Sequence, residues 1–172
     1  DRFRAARGPA QRMRQGLTWW KYSRFVRGLC RHAAMTTVVS ENEGALLGGI
    51  GCDLASVAVV PNGVDALDLE WPRPSRPANR LVYPGSVTFS ANLDAVSWFL
   101  EAVLPLIHAK RPDVEFWVTG KTEGARVPSA GPASRLTMTG PLPDVRPAIA
   151  ESAVCVVPLR IGGGTRIKIL QA

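Results

Sequence analysis

An apolar run, Ala153-Val154-Cys155-Val156-Val157-Pro158-Leu159, leads through Arg160-Ile161 into three consecutive glycines, Gly162, Gly163 and Gly164. Thr165-Arg166-Ile167-Lys168-Ile169-Leu170-Gln171-Ala172 then turns into a helical pattern. A buried strand, a loop without side chains and a helix start, in that order, present backbone N–H groups and a positive dipole end to an anion, most often a phosphate. Three glycines let a ligand approach the backbone closely, Thr165 offers a hydroxyl at the cap, and Arg166 and Lys168 place cations in the first turn. The bland alternative is a glycine-rich connector that binds nothing. The pattern is not GxxxxGK[ST], which argues against a P-loop ATPase, and it is not a GxGxxG after the first strand, which weakens dinucleotide binding. The chain stops inside this helix and begins at Asp1 without a Met, so it reads as a fragment of a longer protein.

The preceding residues repeat the same logic. Leu81-Val82-Tyr83 reads as a strand running into Pro84-Gly85-Ser86, followed by a helix whose apolar positions Leu93, Val96, Leu100, Val103, Leu104 and Ile107 keep the 3.6-residue period, with Asp94 and Glu101 on the other face. Val114–Val118 ends at Gly120, Leu136–Thr139 ends at Gly140, and Asp144 is placed to cap a short helix reaching Ala150. This alternation predicts an α/β, Rossmann-like parallel sheet with helices on both faces. In such sheets ligands sit beyond the carboxyl ends of the strands, so Gly85-Ser86, Gly120-Lys121, Gly140-Pro141 and the Gly162 loop are expected to converge on one crevice.

Nearer the start, Met35–Ser40 reads as a strand, Ser40 as an N-cap with Glu43 three residues on, and Gly48-Gly49 as the stop of the helix between them. Val57–Val60 is a further strand closed by Pro61-Asn62-Gly63. The proline-rich stretch Trp71–Pro77 continues neither helix nor sheet, which sets a domain boundary between Val64 and Asn79. The expected organisation is therefore a first domain over 1–64, a linker over 65–79 and a second domain over 80–172.

The net charge of +7 is concentrated at the start, where residues 1–33 hold nine Arg and Lys against the single acid Asp1. The remainder is close to neutral, so the globular part is no nucleic-acid binder by charge. From Thr18 to Arg31, Trp19, Trp20, Phe25, Val26 and Leu29 interleave with Lys21, Arg24, Arg27 and Arg31 at near-helical spacing. Such a helix packs its aromatic stripe on a neighbouring domain, lies on an anionic membrane surface or contacts nucleic acid. Three cysteines without a CxxC pair suggest neither a disulfide framework nor a zinc site, and fit a reducing cytoplasm. No apolar run is expected to reach the roughly 20 residues that span a bilayer. His32 and His108 read as ordinary boundary residues, Cys155 as a small core residue, and Trp98, Phe99 and Trp117 as core or interface packing.

Several stretches together resemble retaining GT-B glycosyltransferases of glycosyltransferase family 4. They are Val38-Val39-Ser40-Glu41, the turn Val59-Val60-Pro61-Asn62-Gly63-Val64-Asp65, the loop from Pro158 to Leu170, and Gly85-Ser86 with Asn92-Leu93-Asp94-Ala95, the last similar to a branch linked to exopolysaccharide and surface glycans. The resemblance covers about four-fifths of the chain and implies a partial GT-B fold. It implies transfer of a hexose from a nucleotide-diphosphate sugar, UDP- or GDP-linked, to a glycan or lipid-linked acceptor. The donor would be held mainly by the second domain and the acceptor by the first, with no metal or other cofactor. Carried over, Gly162, Gly163, Gly164 and Thr165 would wrap the diphosphate, Arg166 or Lys168 would neutralise it, Gly85 and Ser86 would line the cleft floor, and the loop after Gly140 would pass the nucleobase. Gln171 stands where such enzymes carry a Glu for the donor ribose, and a neutral acceptor there gives roughly half the strength of a charged one. Gly163 replaces an earlier Glu of the same pattern, and the basic pair usual after the first strand of the donor domain is missing from Val87 to Asn92. Catalytic groups would lie upstream of Asp1, leaving these residues inactive alone. The alternatives are a nucleotide-sugar epimerase or hydrolase on the same fold, and a non-catalytic module that uses its basic arm on a membrane.

Overall fold

Two short β-branched runs, Thr36–Val38 (β1) and Val57–Val59 (β2), pair in parallel in the first part of the chain, with Val60 N–H continuing the ladder to Val38 O. The coordinates are a computed structural model that describes residues 8–65, 72, 78–128, 135–162 and 166–172. The chain divides into two compact units, the first comprising the described residues to Asn62 together with Gly162, and the second comprising Gly63–Ile161 with Arg166–Ala172.

In the first unit, helix α1 spans Pro9–His32, starting well before the Thr18 expected from the aromatic spacing. Pro9 suits the first helical turn, where its missing N–H has no intrahelical acceptor in any case. Of its 24 residues only Cys30 is buried, while Trp19, Trp20, Tyr22, Phe25 and Leu29 are all more than half exposed. Trp20, Phe25 and Leu29 border a shallow groove over Gly28 together with Lys21, Arg24 and His32. Helix α2, Glu41–Gly49, is capped as its sequence requires: Ser40 Oγ accepts from Glu43 N–H (3.3 Å), and the Glu43 carboxylate accepts from Val39 N–H (3.1 Å). It ends at Gly49, at the expected Gly48-Gly49 stop. The reversal comes at Gly51, whose φ of +83° lets its N–H return to Gly48 O. A single 3₁₀ turn, Leu54–Ser56, then leads into β2.

The second unit is built on a four-stranded parallel sheet in the order β5-β4-β3-β6, with β3 at Ala78–Pro84, β4 at Glu115–Thr119, β5 at Leu136–Gly140 and β6 at Ser152–Cys155. Leu81 and Tyr83 lie on one face of β3, in register with Phe116 and Val118 of β4, and all four are buried. Against them packs a helical segment, Ser90–His108, in three parts: α3 (Ser90–Trp98), a π turn (Phe99–Val103) and α4 (Leu104–His108). Phe99 meets Phe116 with ring centroids 4.7 Å apart, and Val96, Leu100 and Leu104 complete the core. The π turn precedes Pro105, which cannot donate to an α-helical ladder and would crowd the carbonyl four residues before it. By length and composition this 19-residue segment could cross a membrane, contrary to expectation, yet its apolar side is the lining of the sheet.

Val82 points to the opposite face, and the short helix α5, Arg146–Ala150, lies against β3 and β6. Asp144 holds the start of α5 by accepting from Arg146 N–H (2.9 Å), and the Arg146 guanidinium beside it keeps the carboxyl below its ordinary pKa. The run from Ala153, expected as a buried strand, is one only through Cys155, and Val154 is 50% exposed. An edge strand has one neighbour, and Val154 and Ala153 find no cover among the described residues. Helix α6, Ile167–Leu170, is one turn long.

Candidate functional site

Parallel pairing brings the carboxyl ends of β3, β4 and β5 together, and the glycines that end these strands knit the loops to one another. Gly85 N–H donates to Thr119 O (3.2 Å), Val87 N–H to Lys121 O (3.1 Å) and Gly120 N–H to Gly140 O (2.9 Å). At Gly120, φ is +100°, and a Cβ would stand 2.8 Å from Ser86 N and 2.9 Å from Gly85 C. Only glycine serves there, for its backbone conformation and for the approach of the β3 loop. Ser86 Oγ donates to Lys121 O (3.1 Å) and shares a 2.7 Å hydrogen bond with Thr88 Oγ1, so its hydroxyl is committed to holding the loop.

Below that loop runs a chain the sequence reading did not single out. Tyr83 OH donates to Asn92 Oδ1 (2.8 Å), and Asn92 Nδ2 donates to Ser86 O (2.7 Å), tying β3, the loop and α3 together. Burial pushes the Tyr83 phenol up to about 12, opposed by the Arg166 charge. A signal existed in the tyrosine that closes the apolar run Leu81-Val82-Tyr83, since a buried phenol needs a partner for its hydroxyl.

Lys168 enters from α6. Its Nζ lies 4.1 Å from the Tyr83 ring centroid and 2.8 Å from where a Cβ at Gly85 would stand, so the missing side chain at Gly85 makes the room that the ammonium occupies. Burial holds the Lys168 pKa below the ordinary lysine value, the Cys155 thiol opposes that shift, and Arg166 adds to it. Cys155 is half-buried, with its thiol pushed up by burial and drawn back by Lys168. Arg166 donates from Nη2 to Ile161 O (3.3 Å). Among the described residues, neither Lys168 nor Arg166 has a carboxylate partner. Arg160, six residues before Arg166, is engaged differently: it forms a two-pronged pair with Asp94 (2.6 and 3.1 Å) beside the Trp98 ring.

The structure thus brings Gly85, Ser86, Arg166 and Lys168 into the second unit around the ends of β3 and β4. Gly163, Gly164 and Thr165 lie outside the described residues; Gly162 is described with φ of +106°. Gln171 is exposed just past α6, its N–H bonded to Ile167 O. Ile169 N–H is bonded to Arg166 O, and the cations Arg166 and Lys168 stand at this start of α6. His108 bonds Val114 O and His32 bonds Gly28 O, both in local structural roles. No three His, Cys, Asp or Glu side chains converge as metal ligands among the described residues.

Residues 78–172, more than half of the chain, match the family described as Glycosyl transferases group 1. The chain belongs to the group 1 glycosyltransferases. No curated protein matches it. A group 1 glycosyltransferase moves a sugar from a donor to an acceptor, and the matched residues begin at β3 and take in the whole sheet with its cationic cluster. The parallel sheet with flanking helices agrees with a GT-B-type enzyme of this group.

Proposed function

We propose that the second unit is the donor-binding part of a retaining hexosyltransferase of the glycosyltransferase family 4 type, using a UDP- or GDP-sugar in surface-glycan or exopolysaccharide synthesis. The single observation that supports this is Lys168, a half-buried ammonium without a carboxylate partner among the described residues, set beside Arg166 and against Gly85. A desolvated cation without an internal counter-ion is arranged to receive an external one. In the transfer, the bond from the anomeric carbon to the diphosphate breaks, the diphosphate keeps the electron pair, and the acceptor oxygen joins that carbon while its proton passes to the departing diphosphate. Lys168 and Arg166 stabilise the charge that grows on the leaving diphosphate, a role a metal fills in other enzymes. Lys168 also answers the basic pair missing from Val87 to Asn92, since its ammonium reaches the Gly85 loop from the other end of the unit. Gln171, Gly162, Gly163, Gly164 and Thr165 complete the donor contacts in this reading, and Ser86 orders the loop that Lys168 abuts.

The first unit would face the acceptor, and residues 1–33 would rest on the anionic cytoplasmic face of a membrane that carries a lipid-linked one. Exposed Trp19, Trp20 and Phe25 interspersed with Lys21 and Arg24 favour that surface.

Calorimetry of UDP, GDP and their sugars against the whole chain, with Lys168→Ala alongside, tests the donor reading. One nucleoside diphosphate is expected to bind, and the variant to weaken it by roughly 10-fold or more, the worth of a hydrogen bond to a charged group. Affinity should also fall as pH rises through the lowered Lys168 pKa, sooner than an ordinary lysine would lose its proton. Indifference to every nucleotide sinks the reading.

A further inference from the structure

Cys30 and Cys52 lie in the first unit, far along the chain from the donor cluster, and each is 8% exposed. Cys30 is the one residue that α1 buries, in its last turn, and Cys52 follows the reversal that ends α2. Independent contacts join these two places. Arg27, one turn before Cys30, donates from Nε to Ile50 O, and its Cζ lies 3.2 Å from where a Cβ at Gly51 would stand. Cys52 N–H is anchored to Leu47 O (3.0 Å). The two thiols are neighbours: burial first, and then the Cys30 thiol, push the Cys52 thiol up, while Arg27 and Arg31 pull it down.

We propose that Cys30 and Cys52 are a dithiol–disulfide pair, a modification site that reacts with small-molecule disulfides and links the last turn of α1 to the connector after α2. The chemistry balances with the small disulfide as oxidant. One cysteine thiolate attacks a sulfur of RSSR, the S–S bond breaks, and RS⁻ leaves and takes up a proton. The second cysteine, as thiolate, attacks the mixed disulfide and releases a second RSH. The protein loses two hydrogens and RSSR is reduced to two thiols. Arg27 and Arg31 favour the thiolate at this site, and burial limits its access, so the reaction awaits local opening at the end of α1. Cys155 stands in the other unit and serves as the internal contrast, a half-buried thiol without a second cysteine beside it.

The test uses the full chain carrying Cys155→Ser, incubated with oxidised glutathione, alkylated, and read by intact mass and peptide mapping. The expected product lacks two hydrogens, yields a Cys30–Cys52 cross-linked peptide, reverts with dithiothreitol, and melts roughly 10–20 °C higher, as closing a loop of about 20 residues in a small unit should give. Cys30→Ser and Cys52→Ser should each stop at a single stable mixed disulfide. The unsubstituted chain offers a second readout should a Ser variant fail to fold: phenylarsine oxide is expected to bind one equivalent and to protect both thiols from alkylation. The pairing is overturned if both thiols stay alkylatable while an unstructured cysteine peptide is oxidised, or if each cysteine carries its own glutathione without a cross-link. Neither result touches the donor reading, which stands on Lys168, Arg166 and Gly85 of the second unit.

Discussion

The aromatic residues at the centre of the second unit and those along α1 of the first are placed in opposite ways. In the second, Tyr83 and Phe116 have no exposed surface and Phe99 has 4%, all locked between a parallel sheet and one helical segment. In the first, Trp19, Trp20, Tyr22 and Phe25 stand in solvent on a helix that buries one cysteine. Composition does not separate these groups. What differs is whether a β-strand pattern with period two supplies a matching apolar face across from the helix, and in the first unit two three-residue strands are too short to offer one to 24 residues of helix. Where the core is closed, single side chains carry stability; where it is open, they are free to carry contacts.

The sharpest way to break this contrast is a pair of truncations followed by urea unfolding of the whole chain. Phe116→Ala should cost about 3–5 kcal/mol, and Phe25→Ala less than about 0.5 kcal/mol. Equal losses would mean that α1 is packed in solution after all. A glycine pair comes next. Gly120→Ala, forced to keep a positive φ against the Ser86 backbone, should cost about 2 kcal/mol, whereas Gly28→Ala in α1, where a Cβ meets nothing within 4 Å, should gain up to about 1 kcal/mol from helix propensity. The opposite sign at either position would show that the loop or the helix face relaxes differently.

A smaller effect should appear at high pH. The Tyr83 phenol is raised to about 12 from an ordinary value near 10, so its contribution is fully present below about pH 10 and is lost as pH climbs towards 12. Denaturant midpoints across that window should therefore decline, and Tyr83→Phe should remove part of the decline while losing the Asn92 hydrogen bond. An unchanged slope in the variant would place the titration elsewhere. The smallest change is expected at the exposed Arg160–Asp94 pair, where Arg160→Ala should leave the unfolding midpoint nearly unchanged despite good geometry, because solvent screens it. A larger loss there, read by the same unfolding curve, would give Arg160 and the Trp98 ring a packing role like that of the core.

Much of the second unit was legible in advance. Each strand from β3 to β5 is an apolar run ended by a glycine, and the observed spans agree with the reading to within three residues. The helix after Ser90 was readable from its 3.6 period, but the π turn was not, since it answers Pro105 and the demands of the sheet beneath it. The cationic cluster was half legible: Arg166 and Lys168 stood out by type and position, while the Tyr83–Asn92–Ser86 chain that supports the Gly85 loop depends on distances no spacing reveals. The edge position of β6 and the exposure of Val154 were hidden because an apolar run reads the same with or without a neighbour.

Local rules, the period of apolar residues and the punctuation by glycine and proline, by themselves determined that this chain makes parallel strands separated by helices. They act over a few residues, so a sequence displays them openly. Only tertiary structure decided that the Lys168 ammonium meets Gly85 across more than eighty residues of chain, that Gly120 must yield space to Ser86, and that Cys30 finds Cys52. Those outcomes follow from which elements close-pack, and packing is a property of the assembled core that no single segment contains.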